Sequence, residues 1–218
     1  MTKETSDSYP PVTVLLPVYK DTTLTSQCIA ACMPSIVRCR AHLIIINDAS
    51  PEPDMAGALI KQKQAHPSSI SLLTNEGNEG FVVSVNRGLS LCQGRDVVLL
   101  NSDVITPTHW LEQLVRDAYS DAKIGTLTPL SNNSTITSMP YANEDNSMLL
   151  EHEVNTINGA IVGLLPLVQA PTGVGFCMYI KAACLLKVGQ FNQEKFGKGY
   201  GEENDFCQRA IKHGYINA

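Results

Sequence analysis

Four short apolar runs organise the first half of the chain, each followed by a segment with helical spacing. Val12–Pro17, His42–Asn47, Ser69–Thr74 and Arg95–Leu100 read as strands, and the near-continuous apolar character of the first two suits a sheet covered on both faces. In Thr22–Met33, Leu24, Cys28, Ala31 and Cys32 recur at helical spacing, and Pro34 is expected to end or kink that helix. A short helix is expected over Ala56–Gln64. Another spans Gly80–Gln93, where Phe81, Val82, Val85, Leu89 and Cys92 share one stripe. A fourth starts near Pro107 and buries Trp110, Leu111, Leu114, Val115 and Ala118. The alternation βαβαβαβα predicts a parallel sheet with right-handed crossovers, whose ligands gather beyond the carboxyl ends of its strands.

After Gly125–Pro129 the rhythm breaks. Ser131–Ser147 is rich in Asn, Ser and Thr and reads as a long loop. Met148–Leu164 is a helix candidate, Gly175–Lys181 a strand, Ala182–Val188 a short helix and Gly189–Gly201 a glycine-bearing loop. A last helix runs from Glu202 to about Lys212. No repeat or linker marks a second domain, so residues 12–218 are read as one domain behind a polar extension, residues 1–11.

Composition narrows the class. The chain has 218 residues, 44% of them hydrophobic and 17% charged, as in ordinary globular domains. A net charge of −5 provides no basic field for nucleic acid, so an anionic ligand must be held locally. The first apolar run is far too short for a membrane span and lacks a signal-peptide layout, which predicts a cytoplasmic protein. Seven scattered cysteines argue for reduced, buried thiols; Cys28, Cys32 and Cys39 crowd together but lack the paired spacing of a zinc site. His109 and His152 have no evident ligand partners, and His213 ends the last helix, where a cation suits the helix dipole.

Polar groups stand at the strand exits: Tyr19, Asp48, Asn75 and Asp103 should face one rim. Each alone reads as well as a turn former or a helix cap; four in register point to a site. There is neither a G-x-G-x-x-G after the first strand nor a P-loop. The charge of a bound diphosphate therefore calls for another partner, and Mg²⁺ or Mn²⁺ held by Asp103 would supply it through hard oxygen ligation.

The segments V-T-V-L-L-P-V-Y (Val12–Tyr19), I-I-I-N-D-A-S (Ile44–Ser50), N-E-G-N-E-G-F-V-V-S-V-N-R-G-L (Asn75–Leu89) and V-V-L-L-N-S-D-V (Val97–Val104) resemble, in that order, those of the family 2 glycosyltransferases. G-V-G-F-C-M-Y-I-K (Gly173–Lys181), K-V-G-Q-F (Lys187–Phe191) and G-Y-G-E-E-N-D-F-C-Q-R (Gly199–Arg209) resemble the family's acceptor-side motifs. The resemblance runs from about Val12 to Tyr215.

It implies an α/β, GT-A-type Rossmann-like sandwich with a mostly parallel central sheet, its nucleotide-binding half over residues 12–106 and its acceptor-side half over 107–218. It further implies inverting transfer of a sugar from a nucleotide-diphosphate donor, UDP- or dTDP-linked, to a saccharide or lipid-linked saccharide. By the same resemblance Pro17, Tyr19 and Asp48 line the base and ribose pocket, and Asn78, Phe81 and Asn86 complete its far wall. Asn101, Ser102 and Asp103 occupy the D-x-D position; with Asn101 replacing the first acid, metal ligation falls chiefly on Asp103. Glu203 is the expected general base, with Glu202 and Asp205 positioning the acceptor or the helix. The first-turn placement of these acids suits helix-end charge compensation equally well, and Asp205 is spaced for an ordinary pair with Arg209. Gly173 and Gly175 would bring backbone against the donor sugar.

The setting implied by resemblance is bacterial polysaccharide or glycolipid assembly at the inner face of the cell membrane, with peripheral membrane association, and with self-association or further domains in the native chain. Family members usually continue past the position of Tyr215, so an incomplete catalytic domain is expected. Two other classes compete. A sugar-phosphate nucleotidyltransferase should carry a glycine-rich, Arg-containing loop where this chain has Pro17-Val18-Tyr19-Lys20. A non-catalytic sugar-nucleotide-binding module of a larger synthase is disfavoured by the presence of Asp48 and Asp103.

Overall fold

A computed structural model describes residues 10–197 and 199–218, so most of the expected polar extension lies outside the described residues. In chain order the elements are β1 (Val12–Val18), α1 (Thr22–Arg38), β2 (His42–Asn47), α2 (Met55–Ala65), β3 (Ile70–Thr74), α3 (Phe81–Leu89), β4 (Asp96–Leu100), α4 (Trp110–Ala118) and β5 (Ile124–Leu127), followed by α5 (Glu151–Ile161), β6 (Cys177–Ile180), α6 (Ala182–Val188), α7 (Gln193–Phe196), α8 (Glu202–Lys212) and β7 (Ile216–Asn217).

These strands form one seven-stranded sheet in the order β3-β2-β1-β4-β6-β5-β7. β1 to β4 are mutually parallel, with Leu15 opposite Ile44 on one side and Leu99 on the other. β6 enters antiparallel between β4 and β5, and β7 pairs parallel with β5. The sheet is thus α/β and mostly parallel, as the alternation predicts. The carboxyl ends of β1, β2, β3 and β4 share one rim, which fixes where the loops that follow them meet.

Alternation along β1 divides the core in two. Val14, Leu16 and Val18 pack with Cys28, Ile29 and Cys32 of α1 and with α4 on one face; Leu15 packs with Val82 and Val85 of α3 and Phe206 of α8 on the other. Burying each large aliphatic side chain contributes roughly 1.5–3 kcal/mol. α3 approaches the sheet closely because residue 88 is Gly: a Cβ there would come within 2.9 Å of Leu15 and Ile46 side-chain carbons.

Pro34 neither ends α1 nor limits its length, since the helix continues to Arg38. Pro34 and Ala30 both lie on the exposed side, where water can satisfy the carbonyl deprived of its helical donor, while Met33 and Ile36 remain buried. β5, β7 and α7 are four, two and four residues long, too short for a periodicity to register. No helix among the described residues is long and apolar enough to cross a membrane.

Candidate active site

The site is built from four exits on the parallel rim and one helix brought across to them. At the exit of β2, Asp48 is buried and organises the loop ahead of α3. Its Oδ1 accepts from Asn75 Nδ2 at 2.7 Å and from the Glu79 N–H at 2.8 Å, and its Oδ2 accepts from the Gly80 N–H at 2.9 Å. Asn75 donates in addition to Ser84 Oγ and accepts from Arg87. This carboxylate therefore shapes the strip Asn75–Phe81 from beneath. Pro17 is half-buried, Tyr19 exposed, Asn78 exposed and Phe81 half-buried along the same rim.

Asn86 lies on the buried side of α3. Its side chain donates to the Phe191 carbonyl at 2.9 Å and accepts from the Phe191 N–H at 3.0 Å, both deep in the structure. The amide clamps the loop after α6 to α3. The Phe191 ring meets Phe206 of α8 edge-on at 5.4 Å, so the clamp also braces the helix that carries the acidic cluster.

At the exit of β4, Asn101 and Ser102 are half-buried and Asp103 is exposed. The Asn101 N–H donates to the Phe176 carbonyl at 2.8 Å, which fixes this turn against the segment entering β6. Phe176 follows Gly175, and a Cβ on Gly175 would overlap the Glu203 carboxylate. Gly175–Phe176 therefore bridges the Asp103 turn and Glu203. Within the protein the close approach at this glycine is made by Glu203. Gly173 is similarly engaged within the protein, donating to Cys207 Sγ at 3.1 Å, with Thr128 Oγ1 where a Cβ would point.

The three acids at the start of α8 have different surroundings. Asp205 accepts from Arg209 Nε at 2.8 Å, and Arg209 also donates to the carbonyls of Val188 and Gln190. Asp205 thus anchors the helix to the α6 loop. Glu202 is 3% exposed and its Oε2 has no partner among the described residues. Glu203 is half-buried against the Gly175 backbone.

Burial pushes both the Glu202 and the Glu203 carboxyl above the usual range, and the Glu202 charge pushes Glu203 up further. A helix N-terminus favours the ionised forms, but desolvation outweighs it here. A group with a raised folded-state value favours the fold at low pH, and that contribution is lost as pH rises through the raised value. For a carboxylate that must be ionised to act, the same shift moves the onset of activity above the ordinary glutamate titration near about 4.3. Glu202→Gln removes the neighbouring charge, so the acidic limb of kcat/KM against pH is expected to move to lower pH. A limb that stays in place would show that the two carboxylates do not interact.

Among the described residues no group of three or more His, Cys, Asp or Glu side chains converges on a metal position. The free cysteines Cys28, Cys32, Cys39, Cys92, Cys177, Cys184 and Cys207 are all buried, and Cys28 Sγ sits 3.4 Å from the Asn101 carbonyl. Asp103 nevertheless suits a hard divalent ion: its carboxylate is exposed at a strand exit, and such an ion keeps several waters and takes its remaining ligands from substrate phosphate oxygens.

A family profile described as "Glycosyl transferase family 2" matches residues 13–181, which include the rim, the Asp103 turn and Gly175. The chain belongs to glycosyl transferase family 2. No curated protein sequence matches the chain significantly. Solved structures of distant proteins share the fold. A mannosyltransferase from Pyrobaculum calidifontis in complex with GDP-Man and Mn²⁺ is 15% identical at a TM-score of 0.67, with 97% of this chain and 55% of that one covered. GalNAc-T7 with UDP, GalNAc and Mn²⁺ is 13% identical at 0.70, with 97% and 42% covered. The M. tuberculosis glucosyl-3-phosphoglycerate synthase is 16% identical at 0.61, with 96% and 68% covered. The chain thus spans about half the length of the first two. α8, with Glu202, Glu203 and Asp205, lies beyond the family match, yet the fold places Glu203 against matched Gly175.

Proposed function

We propose that the chain catalyses inverting transfer of a sugar from a nucleoside-diphosphate donor to an acceptor hydroxyl. The observation that carries this reading is the bridge Asn101–Phe176–Gly175–Glu203. It brings an exposed carboxylate suited to a diphosphate-bound cation and a desolvated glutamate to one rim of a family 2 glycosyl transferase fold.

The nucleotide lies along Pro17, Tyr19 and the strip that Asp48 organises, with Asn78 and Phe81 beside it. Asn101 and Ser102 shape the turn that presents Asp103, the residue that would hold Mg²⁺ or Mn²⁺. Bound there, the ion would stabilise negative charge developing on the diphosphate. Glu203 takes the proton from the acceptor hydroxyl as its oxygen attacks the anomeric carbon. The new C–O bond forms on the face opposite the breaking bond to the diphosphate, and the configuration inverts. Burial raises the proton affinity of Glu203, which makes it a stronger base once ionised. Glu202 borders the acceptor side, and Asp205 holds α8 in place through Arg209. Mn²⁺ in the P. calidifontis and GalNAc-T7 structures supports the choice of ion.

The test is binding of a panel of nucleoside diphosphates and their sugars with and without Mn²⁺, followed by anomeric analysis of the product. Asp103→Ala is expected to remove the Mn²⁺-dependent gain in nucleotide affinity while the protein stays folded, because the side chain is exposed. An unchanged gain would take Asp103 out of the metal position, and a product with retained configuration would overturn the inverting step.

A further inference from the structure

From residue 139 to residue 172 no side chain is buried, and α5 contributes none to either core. The segment is nonetheless placed: the Thr108 N–H donates to Asn155 Oδ1 at 2.6 Å, and the Ala170 N–H donates to the Asn217 carbonyl at 2.8 Å. Between and beside these ties it leaves large apolar side chains in water. Met148 is 69% exposed, Leu150 64%, Leu164 76%, Leu165 56% and Val168 69%. Scattered apolar side chains on a surface need no explanation, but a concentration of them within one anchored strap is the mark of a covered surface.

Charge indicates the covering partner. Between residues 124 and 180 there is no Lys or Arg, while Glu144, Asp145, Glu151 and Glu153 supply four of the chain's five units of net negative charge. None of the four joins an ion pair among the described residues. A bilayer rich in anionic lipid would be repelled by these acids. A second copy docked through the same surface would set the acids against each other. A helix with one apolar and one cationic face satisfies both features: its apolar stripe covers the leucines, and its lysines or arginines pair with the carboxylates.

We propose that Met148–Val168 is the docking surface for a cationic amphipathic helix of a protein partner.

The experiment uses the 218-residue chain and a fluorescein-labelled Leu/Lys peptide of about four helical turns. Two peptides serve as controls, a Ser/Lys peptide of equal charge and a Leu/Glu peptide of equal apolarity. The Leu/Lys peptide is expected to bind at least about tenfold more tightly than either, which is about 1.4 kcal/mol. The triple variant L164S/L165S/V168S is expected to lose that preference with an unchanged Tm, since all three residues are exposed, while Glu144→Gln with Glu151→Gln weakens binding and flattens its salt dependence. Full Leu/Lys affinity in the triple variant would overturn the proposal. So would either of two other losses in that variant: self-association seen by sedimentation of the wild-type chain, which would assign the surface to a second copy, or binding to phosphatidylserine vesicles, which would assign it to a membrane.

Discussion

Glu203→Gln is expected to reduce sugar transfer by about 10²-fold or more while leaving nucleotide binding unchanged. The amide retains the volume of the carboxylate and can still lie against Gly175, so the loop entering β6 and its hold on the Asp103 turn stay in place. What disappears is the ability to accept a proton from the attacking hydroxyl. The substitution also removes a desolvated carboxyl whose value burial has raised, so the folded protein is not expected to lose stability at neutral pH. Steady-state transfer together with calorimetric nucleotide titration separates the two effects. Near-normal transfer by Glu203→Gln, with Glu202→Gln inactive, would move the base by one residue. Glu202 is a genuine competitor, since it is buried and its Oε2 is unpartnered.

Periodicity revealed the parallel half of the fold because β1, β2 and β4 are buried almost throughout and the helices after β1 and β4 each bury one apolar stripe. It was silent on β6 running antiparallel, since strand direction leaves no trace in a four-residue apolar run. α1 runs past Pro34 for a local reason: the rule concerns the lost N–H, and the solvent-facing side of α1 tolerates that loss. In the site, the positions of Asp48 and Asp103 at strand exits were legible from spacing alone, but their partners were not. Asp48 looked like a ligand group; its hydrogen bonds to Glu79 and Gly80 need three-dimensional contact across 31 and 32 residues. Asn86 sits on the buried side of α3 and meets Phe191 more than 100 residues later, a contact that no local pattern announces. The bridge through Gly175 was half visible, as a glycine at a close approach; that the approaching group is Glu203 follows from the crossing of α8 over the strand entry.

If the nucleotide lies along the Asn75–Phe81 strip as proposed, the hydrogen bonds of Asp48 join stability to nucleotide binding. Asp48→Ala leaves the Glu79 and Gly80 N–H groups and the Asn75 amide without their shared acceptor in a largely dry setting. Each bond to a charged group contributes about 1.5–3 kcal/mol, and part of the loss is recovered as water enters, so a destabilisation of about 3 kcal/mol is expected in urea unfolding. The strip from Asn75 to Phe81 then loses its fixed shape, and nucleotide affinity should fall equally with and without Mn²⁺, because the defect lies in the base and ribose wall. Asp48→Asn is not expected to rescue the protein. If its oxygen keeps the two bonds made by Oδ1, its NH₂ group must face the Gly80 N–H, a donor against a donor. Wild-type stability in Asp48→Asn would show that the Gly80 bond carries little energy, and a loss of affinity seen only with Mn²⁺ would move Asp48 from the nucleotide wall to the metal side.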